Sequence, residues 1–197
     1  MSGGFLDERT ELRRKDRAAD DEWVRDFLHA SAVGVLATVR DGQPFVNANI
    51  FVYDEVRGAI YLHTAHTGRT RDNVEADAKV AFTVYEVGRL LPADQALEFS
   101  IEYGGVVVFG TASIVSDAEE SEHGLQQLLE KYAPHLKPGR DYRPITAGEL
   151  ERTSVFRLDI ESWSGKRKYV EQNFPGAFLY EDRHRLAAEA PSRRPPA

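Results

Sequence analysis

The feature that most constrains this chain is a period-two alternation folded about an Asp-Gly dipeptide. Residues 32–39 set Val33, Val35, Ala37 and Val39 against Gly34, Leu36 and Thr38, and Asp41-Gly42 follows, the pair that two-residue hairpin loops favour. The return strand, 45–53, puts Val46, Ala48, Ile50 and Val52 on one face and Phe45, Asn47, Asn49, Phe51 and Tyr53 on the other. The first face reads as core. The second mixes aromatics with two amides, as a surface would that meets something flat and polar. Further strands are expected over 59–65, 79–85, 99–115 and 155–160, with bulges at Gly104-Gly105 and Gly110. Segment 86–95 is poorly patterned, and 86–100 reads as the cover of a site's mouth.

Helices are few. Asp20 or Asp21 caps a short one carrying Trp23, Val24, Phe27 and Leu28, and another opens within 67–74. Asp117 with Glu120 resembles a capping box ahead of Leu125, Leu128, Leu129 and Tyr132, and Thr146 with Glu149 marks a last short helix. Many antiparallel strands, hairpin-length turns and few short helices make a mainly β fold, an antiparallel barrel or sandwich rather than a doubly wound parallel sheet. The domain reading is a charged arm over 1–18, one body over 19–172 and a tail over 173–197, with both ends fraying.

Composition removes several classes. With 32 acidic and 25 basic residues the formal net charge is -7, which works against an extended nucleic-acid footprint. The absence of cysteine excludes disulfides, thiolate metal sites and cysteine nucleophiles. The first twenty residues are too charged to read as a signal peptide, and no apolar run approaches the roughly 20 residues of a membrane helix, so the expectation is a cytoplasmic protein without membrane partners. Phosphate-loop, dinucleotide-fingerprint, nucleophile-elbow and zinc-helix patterns are missing. His63 and His66 stand at a strand end where their spacing turns them to opposite faces, and with no third ligand nearby no metal is expected.

Thr67-Gly68-Arg69-Thr70 supplies hydroxyls, a guanidinium and free N–H groups at a helix start, the parts that hold a phosphate. On these four residues alone the plain reading is an N-cap with solvated arginines. The company changes it: the Asn47 and Asn49 face, the strand end His63-Thr64-Ala65, and the late Trp163-Ser164-Gly165-Lys166-Arg167-Lys168 together suit a flat aromatic ligand with a phosphate tail.

The order of these pieces resembles the pyridoxamine 5′-phosphate oxidase-like flavin-binding split-barrel superfamily, most closely its nitroimidazole-resistance branch. The matching stretches are residues 13–17, 34–37 with 42–46, 60–69, 103–110, and 156–160 with 165–167, spanning about residues 11–168. The resemblance implies a six-stranded antiparallel split barrel that dimerises, with a flavin (FMN, or FAD) at each end of the subunit interface. Residues 47–51, including Asn47, Asn49, Ile50 and Phe51, would lie along the flavin ring, and His63, Thr64 and Ala65 along its pyrimidine side and ribityl chain. Thr67, Arg69 and Thr70 would hold the phosphate, while Trp163, Lys166 and Arg167 would approach from the partner subunit. His63 is the side chain expected nearest the reacting edge. Oxidases of pyridoxamine phosphate carry a richer basic set for a second phosphate, which is not located here, so the resemblance points away from vitamin-B6 oxidation. Two readings stay open: a flavin-dependent oxidoreductase acting on a small aromatic or nitro-substituted acceptor, and a non-catalytic flavin, haem or deazaflavin carrier or sensor on the same barrel. A cofactor-free interaction domain is the blander third.

Overall fold

The computed structural model describes residues 8–189. The hairpin is as the alternation predicts: β2 (Gly34–Arg40) and β3 (Gln43–Asn49) pair antiparallel from Gly34↔Asn49 to Arg40↔Gln43. Its two turn residues take positive φ, 51° at Asp41 and 74° at Gly42, which suits the right-handed twist of the flanking strands.

The other long strands are β5 (Ala59–Ala65), β6 (Lys79–Leu91), β7 (Ser100–Ile114) and β8 (Thr153–Lys168). Short β1 (Ala18–Ala19), β4 (Val52–Asp54) and β9 (Phe178–Leu179) extend them. The sheet runs β3-β2-β6-β7-β8-β5-β4, with β1 on β8 and β9 on β6, and every pairing is antiparallel. Its terminal members, β3 and β4, are joined by Ile50 and Phe51 alone, so the two ends meet and the sheet curls into a barrel split at that seam. The expected mainly β architecture with six long antiparallel strands is present. Leu36, Phe82, Val84, Val106, Val108, Phe156 and Leu158 fill the interior, and α1 (Asp21–Ala30) closes one side with Val24, Phe27 and Leu28. Each such side chain contributes about 1.5–3 kcal/mol by leaving water. The remaining helices are α2 (Arg69–Ala76), α3 (Ala118–Tyr132), α4 (Ala147–Leu150) and α5 (Arg183–Glu189).

The faces of β3 are the reverse of the sequence expectation. Val46 and Ile50 are 63% and 43% exposed, while Asn47 and Asn49 turn inward and Phe51 and Tyr53 are buried. Apolar side chains stand on both faces of this stretch, so alternation alone cannot choose between them. The inward amides are retained because polar groups of α2 wait for them, as described below. Nor is 45–53 one strand, for it breaks at Ile50 and Phe51. There the Tyr132 hydroxyl accepts the Phe51 N–H at 3.1 Å and lies 2.6 Å from the Ala32 carbonyl and 3.0 Å from that of Phe51, satisfying backbone that the sheet leaves unpaired.

The poorly patterned 86–95 is mostly strand, since β6 continues to Leu91 opposite Ser100 and leaves only residues 92–99 as a connection. The bulge at Gly110 is found, whereas Gly104 and Gly105 keep regular register with Glu86 and Tyr85. Gly104 is there for space: a Cβ would sit 2.8 Å from the Phe27 ring and 2.7 Å from the Tyr169 hydroxyl. Among the caps, Asp20 accepts from Trp23 N at 2.9 Å, and Thr146 with Glu149 forms the reciprocal box. Asp117 caps α3 through Glu120 N at 2.8 Å, but the Glu120 carboxylate turns away to Tyr61 Oη at 2.7 Å and Arg157 Nη1 at 2.8 Å.

Residues 8–19 lie along β8, with Ala18↔Lys166 and Ala19↔Gly165 paired and Arg9 bonded to Glu161 at 3.3 Å. The outermost stretches read as fraying, 1–7 and 190–197, lie outside the described residues.

Candidate functional site

One end of the barrel gathers β3, the end of β5, the start of α2 and the start of β8. Gly68, at φ 144°, turns the chain from β5 into α2 and offers no side chain to cap it. The first helical bond is Asp72 N to Gly68 O at 3.1 Å, so the N–H groups of Arg69, Thr70 and Arg71 precede the ladder. Such groups carry partial positive charge.

Asn47 Nδ2 donates to Thr70 Oγ1 at 3.2 Å and to Asn49 Oδ1 at 3.4 Å, while Asn49 Nδ2 donates to the Asn47 carbonyl at 3.0 Å. Thr70 therefore accepts from β3 and keeps its own hydroxyl proton for another partner. Arg69 is exposed, and its guanidinium lies 5.2 Å from the centre of the Phe45 ring. Among the described residues no carboxylate pairs with it.

Side-chain hydrogen bonds fix this turn from three sides. Asn73 Nδ2 donates to Thr38 Oγ1 at 2.8 Å, tying α2 to β2, and both residues are buried. Arg71 Nη1 donates to Ser154 Oγ at 2.8 Å, and Ser154 in turn donates to the His66 carbonyl at 3.5 Å, tying the turn to β8. Sequence reading missed Ser154, Arg71, Asn73 and Thr38. A lone serine or threonine inside a strand gives no local signal, and its partner here is 35 or 83 residues away.

His63 pairs with Val155 and Thr64 with Ser154 across β5 and β8. Alternation gives His63 the face of Tyr61 and Val155, on which α3 packs, and gives Thr64 the opposite face with Leu62. The two cannot present side chains to one ligand from the same side. Burial holds the His63 imidazole below its usual 6.5, so it is neutral at pH 7, and its buried Nδ1 has no partner among the described residues.

Trp163, Lys166 and Arg167 are not brought to this end. Nine residues of extended strand, roughly 30 Å, separate Ser154 from Trp163. Trp163 and Arg167 turn toward α1, where Trp163 Nε1 donates to Asp21 Oδ1 at 2.8 Å and Arg167 lies 5.5 Å from the Trp23 ring. Lys166 turns the other way, with its ammonium 5.5 Å from the Tyr103 ring.

Residues 20–167 match the model of the family described as pyridoxamine 5′-phosphate oxidase. No curated protein matches the sequence. Among solved structures, the flavocytochrome Anf3 from Azotobacter vinelandii superposes with a TM-score of 0.75 at 24% identity, over 97% of this chain and 88% of that one. The FAD and heme binding protein from Mycobacterium smegmatis gives 0.69 at 22% identity, over 88% and 80%. A candidate 5-nitroimidazole antibiotic resistance protein from Bacteroides thetaiotaomicron gives 0.64 at 17% identity, over 76% and 86%. At these identities the likeness establishes a shared fold.

Proposed function

Because the chain belongs to the pyridoxamine 5′-phosphate oxidase family, we propose that it binds a flavin, FMN or FAD, through the turn at 66–70 and works as a flavin-dependent oxidoreductase on a small aromatic or nitro-substituted acceptor. The observation that carries this reading is the Asn47–Thr70 hydrogen bond. It leaves a donor hydroxyl beside an Arg69 with no carboxylate partner among the described residues and beside the open N–H groups of α2. Cation, hydroxyl and helix N-terminus make a donor set that fits a phosphate monoester.

In this reading Thr67, Arg69 and Thr70 hold the phosphate. Residues 47–51 and the β5 end at His63, Thr64 and Ala65 orient the ring in this reading. The hydride and electron chemistry would come from the flavin ring. The chain's own work is to bind, orient and exclude water, and no side-chain acid or base is obligatory.

The chain acts as a homodimer in this proposal. The outward sheet face carries Val46, Tyr85 and Val107 at 63%, 70% and 37% exposure, an apolar surface that a second copy would cover. In this reading Lys166, on that outward side, reaches toward the partner's flavin, while within one chain Trp163 and Arg167 turn toward α1.

The test is an absorbance spectrum of purified protein, with mass spectrometry of what heat releases, followed by reduction with NADH or NADPH. A bound flavin that is reduced and then reoxidised by an acceptor faster than by oxygen supports the proposal. Colourless protein that takes up neither FMN nor FAD overturns it. The structural likeness to a flavocytochrome over 97% of the chain favours a second reading, haem beside flavin, which the same spectrum reports as a Soret band.

A further inference from the structure

We propose that the far end of β8 carries a second small-molecule site, selective for a planar aromatic body with a positive charge. The inference goes beyond the flavin reading and does not rest on it. The N-terminal arm, the start of α1 and residues 163–165 line a half-open pocket of about 610 Å³, a volume within the range of small-molecule pockets. β8 is open on this side, because β5 pairs only as far as Asp159 and β1 begins at Gly165. The arm crosses the gap and forms one of its walls.

Small residues make the room. Ala18, Ala19 and Gly165 line the space, and Gly165 packs so closely that a Cβ would sit 2.5 Å from Val24 Cγ2. The indole of Trp163 forms a wall, held in orientation by its N–H bond to Asp21 and by edge-on contact with Tyr53 at 6.2 Å. A fixed indole favours flat ligands and attracts cations over its face.

The charge of the lining points the same way. Among the described residues Glu8, Glu11 and Asp21 stand against one cation of the lining, Lys15, which lies 3.9 Å from Glu11. Arg25, over the Trp163 ring at 5.6 Å, is engaged with Glu55 at 3.5 Å and does not line the cavity. Two carboxylates in excess beside an aromatic wall and apolar Leu12 and Val24 select an aromatic amine or another cationic ring over neutral and anionic analogues. The turn at 66–70 has the opposite chemistry, so the two sites take different parts of different molecules.

The test is isothermal titration of tryptamine, indole and indole-3-propionate into the full-length protein, with and without added FMN. These share a ring and differ in charge. The expected result is tryptamine binding at least roughly tenfold more tightly than indole-3-propionate, with indole between. In the double variant Glu8→Gln/Glu11→Gln the ratio should shrink to about threefold or less, while Trp163→Phe should weaken all three ligands together. Equal affinity for the three, no binding of any, or a charge preference untouched by the glutamine variant each overturn the proposal. Because the glutamine changes are on an exposed arm, folding is not at stake, and FMN uptake in the same samples reads the flavin proposal separately.

Discussion

The two ends of β8 solve the problem of making a site in different ways. At Ser154 the turn entering α2 is tied by side-chain hydrogen bonds, one of them fully buried (Asn73 to Thr38) and the others part-buried (Asn47 to Thr70, Arg71 to Ser154 and on to His66). At Trp163 the enclosure is an arm laid over an open strand edge and held by two residues of sheet pairing and by ion pairs such as Arg9–Glu161, whose side chains are 48% and 43% exposed. A buried bond such as Asn73–Thr38 is costly to break, whereas exposed pairs of the second kind contribute about 0–1 kcal/mol. The turn at 66–70 is thus preorganised by the fold, and the arm pocket is assembled on top of that fold.

The largest effect should come from breaking the first end. Asn73→Ala leaves the Thr38 hydroxyl buried without its donor, a loss of about 1–3 kcal/mol, which at this chain length lowers Tm by about 2–4 °C per kcal/mol. Calorimetry checks it, and a change under about 1 °C would show that the bond is not a fixed part of the fold.

Acid should strike next. Arg89 pulls the Glu102 carboxyl down to about 2 from a usual 4.5 through paired hydrogen bonds. A carboxyl lowered in the folded state adds stability above its unfolded value, and that stability drains away as pH falls from 4.5 toward about 2. His63, a base lowered by burial, acts in the same direction: below 6.5 the unfolded chain takes the proton more readily. Urea midpoints measured against pH should decline in both windows, and an NMR titration of His63 should give a midpoint under 6.5.

A smaller effect isolates positioning from contact. Ser154→Ala should weaken FMN binding by about three- to tenfold through the His66 turn while Ser154→Thr, which keeps the hydroxyl, restores most of it. Loss in both variants alike would assign Ser154 to packing. The smallest effect belongs to the arm. Arg9→Ala should shift Tm by no more than about 2 °C and leave FMN affinity within about twofold, since Arg9 pairs with Glu161, away from the turn at 66–70.

What could be read from the sequence follows the same division between local and distant interactions. The Asp41-Gly42 hairpin, the caps at Asp20 and Thr146, and the turn at 67–70 were legible because each depends on residues a few positions apart. The orientation of β3 was not, because Val46 and Phe45 are equally plausible core residues until Thr70 is known to face Asn47. The docking of residues 8–19 was hidden too, since Arg9 finds Glu161 at a separation of 152 residues. Glu120 looked like a capping partner by spacing and was claimed by Tyr61 and Arg157 from other elements.

The central claim is that the turn at 66–70 grips a flavin by its phosphate, and comparing FMN with riboflavin, which lacks that group, tests it most directly. Fluorescence titration of the two into flavin-free protein should show FMN binding roughly ten- to a hundredfold more tightly, with Arg69→Ala erasing most of the difference. Equal affinity for FMN and riboflavin in the unaltered protein would contradict the account.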